Sequence, residues 1–319
     1  MKIRVGIIGY GNLGKAVEQE ILKNKKFKLI AIFSRRTVTS SYNSLVERFE
    51  DYIYYKGKID LMFMCGGSAN DIEPVLPEIS KHFCSINSFD THLKLQKLVS
   101  DINTINRDNK TVSISACGWD PGLFSMIRTL MFAISNEPPT TFWGKGISMG
   151  HSDAIRKVDG VLDGVQFTIP NEEAVKCARK GKLGEKQALH RRECYVVCDK
   201  NNRQIIEHKI KNIPNYFKGQ PTSVGFVSSL EMSKLKRNLS HKGTIIMPMN
   251  LGLSQKANME FNIKMDSNPA LTAKIMVRFA FAVMNLKKEN RFGAYLPIDI
   301  SISQLFSIKE REFVVKHLC

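Results

Sequence analysis

A chain of 319 residues, 43% hydrophobic and 24% charged, has room for two packed cores and lacks the bias of a disordered or fibrous polymer. Its formal charge of +17 raises the question of a nucleic-acid surface, but the basic residues run along the whole chain, with no basic arm and no interleaved stacking aromatics. No stretch reaches the roughly 18 apolar residues of a bilayer span, and Met1 leads almost at once into an apolar strand, so the expectation is no membrane, no nucleic acid, no signal peptide and a cytoplasmic location.

The seven cysteines (Cys65, Cys84, Cys117, Cys177, Cys194, Cys198 and Cys319) are scattered and odd in number, as expected of buried thiols in a reducing compartment. Cys194 and Cys198, four apart in a strand-like run, share a face and are the pair to weigh for zinc or redox chemistry. No metal is expected.

In chain order, residues 3–8 form a short apolar strand that runs into Gly9-Tyr10-Gly11-Asn12-Leu13-Gly14. In a dinucleotide fold Gly9 permits the tight turn, Gly11 lets the backbone approach a pyrophosphate, and Gly14 lets helix and strand pack closely. A helix over residues 15–23 would turn its first amides toward that charge. The context of strand, glycines, helix and a second apolar strand over residues 28–33 separates this from a chance glycine turn.

The end of the second strand selects the cofactor. An NAD site carries an acid there, about 20 residues past the first glycines, for the ribose 2′-OH. This chain has Ser34-Arg35-Arg36-Thr37, and no acid before Glu47. Two guanidiniums and two hydroxyls suit a 2′-phosphate, so NADP is expected. The alternative is that both arginines sit on a solvated loop.

The pattern continues as α/β. Residues 59–65 read as a buried strand ending at Cys65, followed by the loop Gly66-Gly67-Ser68; residues 72–82 read as a helix with Asn70 and Asp71 as caps. Residues 84–87 are a short strand followed by Ser88-Phe89-Asp90, residues 91–107 an amphipathic helix, and residues 111–116 the next strand, followed by Cys117-Gly118-Trp119-Asp120-Pro121-Gly122. Ligands of open parallel sheets bind outside the carboxyl ends of the strands, which places Asp90 and Asp120 at the same crevice.

The segments 117–122 and 142–154, with Gln166-Phe167-Thr168 and Asp266-Ser267-Asn268-Pro269, resemble meso-diaminopimelate dehydrogenases, and the likeness runs from the first strand to about residue 307. The resemblance implies an α/β protein: an N-terminal Rossmann dinucleotide-binding domain (residues 1–118, with residues 265–319 packing back on it) and a C-terminal α+β substrate-binding and dimerisation domain (residues 119–264). It implies a homodimer that oxidises the D-configured centre of meso-2,6-diaminopimelate with NADP, giving L-2-amino-6-oxopimelate and ammonia, reversibly, in the route to lysine. Residues 308–319 match nothing in that pattern.

By the same resemblance Thr168, Arg192 and His241 clamp the carboxylate of the non-reacting centre, with Asn268 beside them. Asp90 and Asp120 receive ammonium groups, one of them serving in acid–base catalysis. Trp119 and Trp143 wall the pocket, and the backbone at Met149 and Gly150 meets the reacting end. The nucleotide is expected against residues 9–14, 34–37, 65–68, 88–90 and 117–121.

Each assignment has a plainer rival. Asp120 could cap a helix from Leu123, Asp90 one from Thr91, both tryptophans could be core, and His241 could be an idle histidine in a polar loop. Met149 stands where the family carries a polar glutamine, which opens the alternative of a broader D-amino-acid dehydrogenase. Other NADP-dependent Rossmann oxidoreductases and a non-catalytic NADP-sensing protein are the remaining alternatives.

Overall fold

The computed structural model describes residues 2–184, 187–237 and 240–318. Strand β1 (Ile3–Ile8) leads into α1 (Asn12–Lys23), β2 (Phe27–Ser34), β3 (Val46–Arg48) and β4 (Leu61–Met64). Then come α2 (Glu73–Ser80), β5 (Cys84–Asn87), α3 (His92–Asp108), β6 (Val112–Ile114) and α4 (Leu123–Ser135). The middle of the chain forms β7 (Thr140–Trp143), β8 (Gly146–Ile147), α5 (Met149–Arg156), β9 (Val161–Pro170), α6 (Glu172–Arg179), β10 (His190–Cys198) and α7 (Arg203–Lys211). It continues through β11 (Thr222–Phe226), α8 (Ser229–Arg237), β12 (His241–Gly252) and β13 (Gln255–Met265); α9 (Asn268–Lys288), β14 (Gly293–Tyr295) and α10 (Ile308–His317) follow.

The chain divides into two compact units, residues 1–126 with 269–319, and residues 127–268. The first is a seven-stranded parallel sheet in the order β14-β6-β5-β4-β1-β2-β3. Alternation along the strands feeds two cores. Val5, Ile7, Leu61 and Phe63 pack with Val17 and Ile21 of α1 and with α9, whereas Ile8, Met62 and Met64 pack with Leu76 and Ile79 of α2 and with Leu98 and Ile102 of α3. Helices therefore cover both faces, and the central strand β4, Leu-Met-Phe-Met, is buried and apolar throughout.

Local differences from the sequence reading have identifiable causes. Helix α1 starts at Asn12, three residues early, because Gly11 itself is the N-cap and its carbonyl accepts from Lys15 N–H at 3.0 Å. Asp71 does not cap a helix as expected. The chain enters a helical turn already at Ser68, so the Asp71 carboxylate reaches back to Gly67 N–H at 2.8 Å; the Asn70 side chain lies outside the described residues.

The first unit extends to Met126 rather than ending at Gly118. A bridge between Gly118 and Gly122 and edge-on packing of Trp119 against the buried Phe124 hold this stretch in place. The chain returns at Pro269 rather than at residue 265, because Met265 still pairs with His241 in the β12–β13 ladder. Helix α9 is long and apolar enough to cross a membrane by length and composition, contrary to the expectation that no segment would be. Ala273, Met276, Val277, Ala280 and Val283 bury it in the core beside β1 and β4, as befits a core helix.

The second unit holds a four-stranded sheet, β11-β10-β9-β8, and a three-stranded sheet, β13-β12-β7. Only β10 and β11 run parallel. This is an α+β arrangement, so the chain as a whole is α/β with a parallel nucleotide-type sheet and a second, mixed domain.

Candidate active site

In the first unit the glycine turn works by close approach. Gly9 has φ +88°, and a Cβ on Gly14 would stand 2.2 Å from the Gly9 carbonyl oxygen, so only glycine lets α1 pack down on the turn. A Cβ on Gly11 would meet nothing, so this backbone is open to a ligand. A cavity of about 270 Å³ lies above, lined by Gly9, Tyr10 and Gly11, by Ser34, Arg35 and Arg36, by Cys65, Gly66 and Gly67, and by Ile8, Phe33, Phe49 and Asp71.

The floor of that cavity is ordered from within. Ser34 Oγ donates to the Arg36 carbonyl at 2.8 Å and accepts from Arg36 N–H at 3.1 Å. Arg35 lies over the Phe49 ring, 4.5 Å from its centroid, and donates to Asp71 at 2.7 Å. Among the described residues no carboxylate pairs with Arg36, and Thr37 is exposed beside it. An exposed cation, a stacked cation and glycine backbone at a helix start fit a phosphorylated dinucleotide. The Tyr10 ring is buried with its hydroxyl donating to Glu18, so Tyr10 offers backbone there. Asn12 and Leu13 belong to the first turn of α1 and line no part of the cavity.

Strands β5 and β6 are parallel neighbours, so residues 88–90 and 117–121 leave the sheet side by side, tied by Cys117 N–H donating to the Asn87 carbonyl at 2.8 Å. Phe89, Cys117 and Pro121 are buried, Ser88 and Gly118 flank them, and Trp119 is packed into the core at 5% exposure. Asp90 is exposed and does not cap α3: its N–H donates to Ser68 Oγ at 3.0 Å and its carboxylate accepts from the same hydroxyl. Asp120 is half-buried.

In the second unit Thr168 and Arg192 face each other across the β9–β10 ladder. Arg192 Nη1 donates to Thr168 Oγ1 at 3.2 Å, and Gln166 Nε2 donates to the same oxygen at 3.3 Å. Burial lowers the Arg192 pKa, and among the described residues Arg192 Nε has no partner and no carboxylate pairs with the guanidinium. A half-buried cation of this kind fits an anionic ligand.

His241 is not in a polar loop but opens β12, 6% exposed, its ring so close to Gly146 that a Cβ there would meet Cδ2 at 2.0 Å. Its Nδ1 lies 2.8 Å from the Lys242 carbonyl, which can only accept, so Nδ1 carries a proton. The Nε2 edge then donates to a carboxylate only as the imidazolium. Trp143 stacks on His190 at 5.3 Å, and its backbone N–H donates to His190 Nε2 at 2.8 Å, which fixes that ring as a neutral acceptor. Burial, with the Arg192 charge nearby, pushes both His190 and His151 down to about 4. Met149 (61% exposed) and Gly150 form the first turn of α5, and Asn268 begins α9.

The sequence reading does not include Phe49 and Asp71, which line the cavity above the glycine turn, or Gln166 as a neighbour of Thr168. Asp71 lies 36 positions from Arg35, and no local pattern joins them. Cys194 and Cys198 lie in one apolar cluster on β10. Among the described residues no group of three or more His, Cys, Asp or Glu converges as a metal site; Cys319 lies outside them. A second depression, about 550 Å³, opens between Gln96, Asn103, Arg107, Arg291 and Tyr295 and contains none of the expected residues.

Residues 118–267 match the family model of the diaminopimelic acid dehydrogenase C-terminal domain. A meso-diaminopimelate D-dehydrogenase of Acetivibrio thermocellus is 41% identical over 310 residues, covering 94% of this chain and 92% of that one. The crystal structure of a C. glutamicum DAP dehydrogenase in complex with DAP superposes with TM-score 0.93 at 33% identity, and an engineered D-amino acid dehydrogenase bound to NADP+ with 0.90 at 31%, each covering 99% of both chains. The chain belongs to the meso-diaminopimelate D-dehydrogenase family.

Proposed function

We propose that this protein is an NADP-dependent meso-diaminopimelate D-dehydrogenase, acting reversibly on the D-centre of meso-2,6-diaminopimelate to give L-2-amino-6-oxopimelate and ammonia. The observation that carries the reading is the half-buried Arg192, with no carboxylate partner among the described residues and donating to Thr168, in a chain whose other unit offers Arg35, Arg36 and open glycine backbone. The first suits a carboxylate and the second a phosphorylated dinucleotide.

Bound NADP supplies the two-electron acceptor for the hydrogen on the amine-bearing carbon. The protein's share is binding and proton transfer. Thr168 and Arg192, with His241 and Asn268, hold the L-configured end. Asp90 and Asp120 pair with ammonium groups. The reacting amine must first lose a proton, because only its lone pair can form the C=N bond, and one of these carboxylates accepts it; an acid–base group of this kind contributes on the order of 10²–10⁴ in rate. Water then adds to the iminium carbon and ammonia leaves. Trp143 and Trp119 are assigned as apolar walls, and the backbone of Met149 and Gly150 to the reacting end.

We further infer that the cofactor lies against residues 9–14, 34–37, 65–68, 88–90 and 117–121, with Asn12 and Leu13 contributing backbone amides of the first turn of α1, that the protein forms a homodimer through the second domain, and that it is cytoplasmic. Met149, exposed at the start of α5, favours a second reading in which apolar D-amino acids are also oxidised. The test is ammonium-dependent oxidation of NADPH by L-2-amino-6-oxopimelate. Turnover of hydroxy acids with none of the amino acid would reject the reading.

A further inference from the structure

We propose that Gln166 is a positioning residue for the carboxylate clamp, its side-chain amide fixing the Thr168 hydroxyl as a donor toward the ligand. The proposal rests on the reading of Thr168 and Arg192 given above. Thr168 Oγ1 accepts from two sides, Gln166 Nε2 at 3.3 Å and Arg192 Nη1 at 3.2 Å. A hydroxyl has two acceptor lone pairs and one proton. With both lone pairs engaged only the proton remains, so any further partner of Thr168 must be an acceptor. A carboxylate oxygen qualifies; an ammonium does not. Gln166 is 0% exposed and sets this polarity without meeting the ligand itself.

Two features separate Gln166 from a residue that merely fills the core. Its Oε1 is buried with no hydrogen-bond partner among the described residues. Folded proteins leave few such atoms, and methionine would fill a similar volume without one, so the amide is accounted for by its N–H donor rather than by packing. Its backbone, meanwhile, is engaged separately: Gln166 N–H donates to Ser152 Oγ at 3.0 Å, and the Gln166 carbonyl accepts from Ser148 N–H at 3.0 Å. Ser148 is the N-cap of α5, directly before Met149 and Gly150. One residue thus ties the clamp strand to the first turn of that helix. A side-chain substitution leaves those backbone bonds in place and isolates the role of the amide.

The test compares Gln166→Met, Gln166→Glu and Thr168→Val, singly and with Gln166→Met combined with Thr168→Val, in the full chain, varying meso-diaminopimelate and NADP+ in turn with the other saturating. Gln166→Met is expected to raise KM for meso-diaminopimelate roughly tenfold while KM for NADP+ stays unchanged. Gln166→Glu should raise it further, because a carboxylate accepts and turns the Thr168 proton inward. In the Thr168→Val background, Gln166→Met should add less than about twofold, since no hydroxyl is left to orient. The same factor in both backgrounds would mean a space-filling role and would overturn the proposal. A neutral Gln166→Met beside a damaging Thr168→Val overturns it too, while leaving the clamp reading intact. If the wild type does not turn over meso-diaminopimelate, the functional reading fails, and the pair is then read in thermal unfolding: non-additive Tm shifts support the amide–hydroxyl link, additive ones overturn it.

Discussion

Arg35 donates to Asp71 across 36 residues of sequence at 2.7 Å while its guanidinium lies over Phe49. The ion pair is exposed on both sides and contributes little to stability; its consequence is placement. Arg35 is held at the lip of the cavity above the glycine turn, and Arg36 lines the same cavity with no carboxylate partner among the described residues.

Replacing Arg35 and Arg36 together by Ala should therefore weaken NADPH roughly 10–100-fold, the effect of removing charge-assisted hydrogen bonds, and leave NADH nearly unchanged. Titration of both nucleotides by fluorescence gives the comparison. Equal losses for the two would remove the basis for 2′-phosphate recognition.

A Cβ on Gly14 has no room, since it would stand 2.2 Å from the Gly9 carbonyl. Gly14→Ala should cost on the order of 1–3 kcal/mol through a backbone shift and weaken NADPH with it. Gly11→Ala meets no protein atom and should keep the wild-type Tm while losing nucleotide affinity. Unchanged NADPH affinity in Gly11→Ala would argue against backbone approach at that residue.

The clamp is checked by Arg192→Met and Thr168→Val. Each should raise KM for meso-diaminopimelate by roughly 10–100-fold and leave KM for NADP+ alone. An effect confined to the cofactor would contradict the assignment of this pair to the substrate.

His190 and His151 carry a pH signature. Both titrate at about 4 in the folded chain and near 6.5 when unfolded. Between those values the unfolded chain binds more protons, so stability is full above about pH 6.5 and falls as the pH drops toward about 4. His190→Gln keeps an acceptor for Trp143 N–H and removes one titration. Its Tm should fall less steeply than the wild type's between pH 6.5 and 4; an identical slope would show that His190 is not responsible.

Much of the first unit was legible because its signals are local. Strand periodicity, the glycines and the absence of an acid after β2 depend on neighbours in sequence, and β1 and β5 match the expected residues 3–8 and 84–87. Boundaries slipped where a turn closed early, as at Asn12 and Ser68. Contacts between distant residues were not legible: nothing near Arg35 announces Asp71 or Phe49, and nothing in residues 166–168 shows that Gln166 and Arg192 donate to one oxygen. His241 was misplaced for the reason that its flanking residues are polar. Long β12–β13 pairing, rather than composition, buries it.

A substrate held by its L end is oxidised only at a D-configured carbon, and NADP+ reduction followed by absorbance with meso-, L,L- and D,D-diaminopimelate measures this. Rapid turnover of the meso isomer, none of the L,L isomer and slower turnover of the D,D isomer is the expected order. Oxidation of the L,L isomer at the meso rate, or no reduction with meso-diaminopimelate, would contradict it.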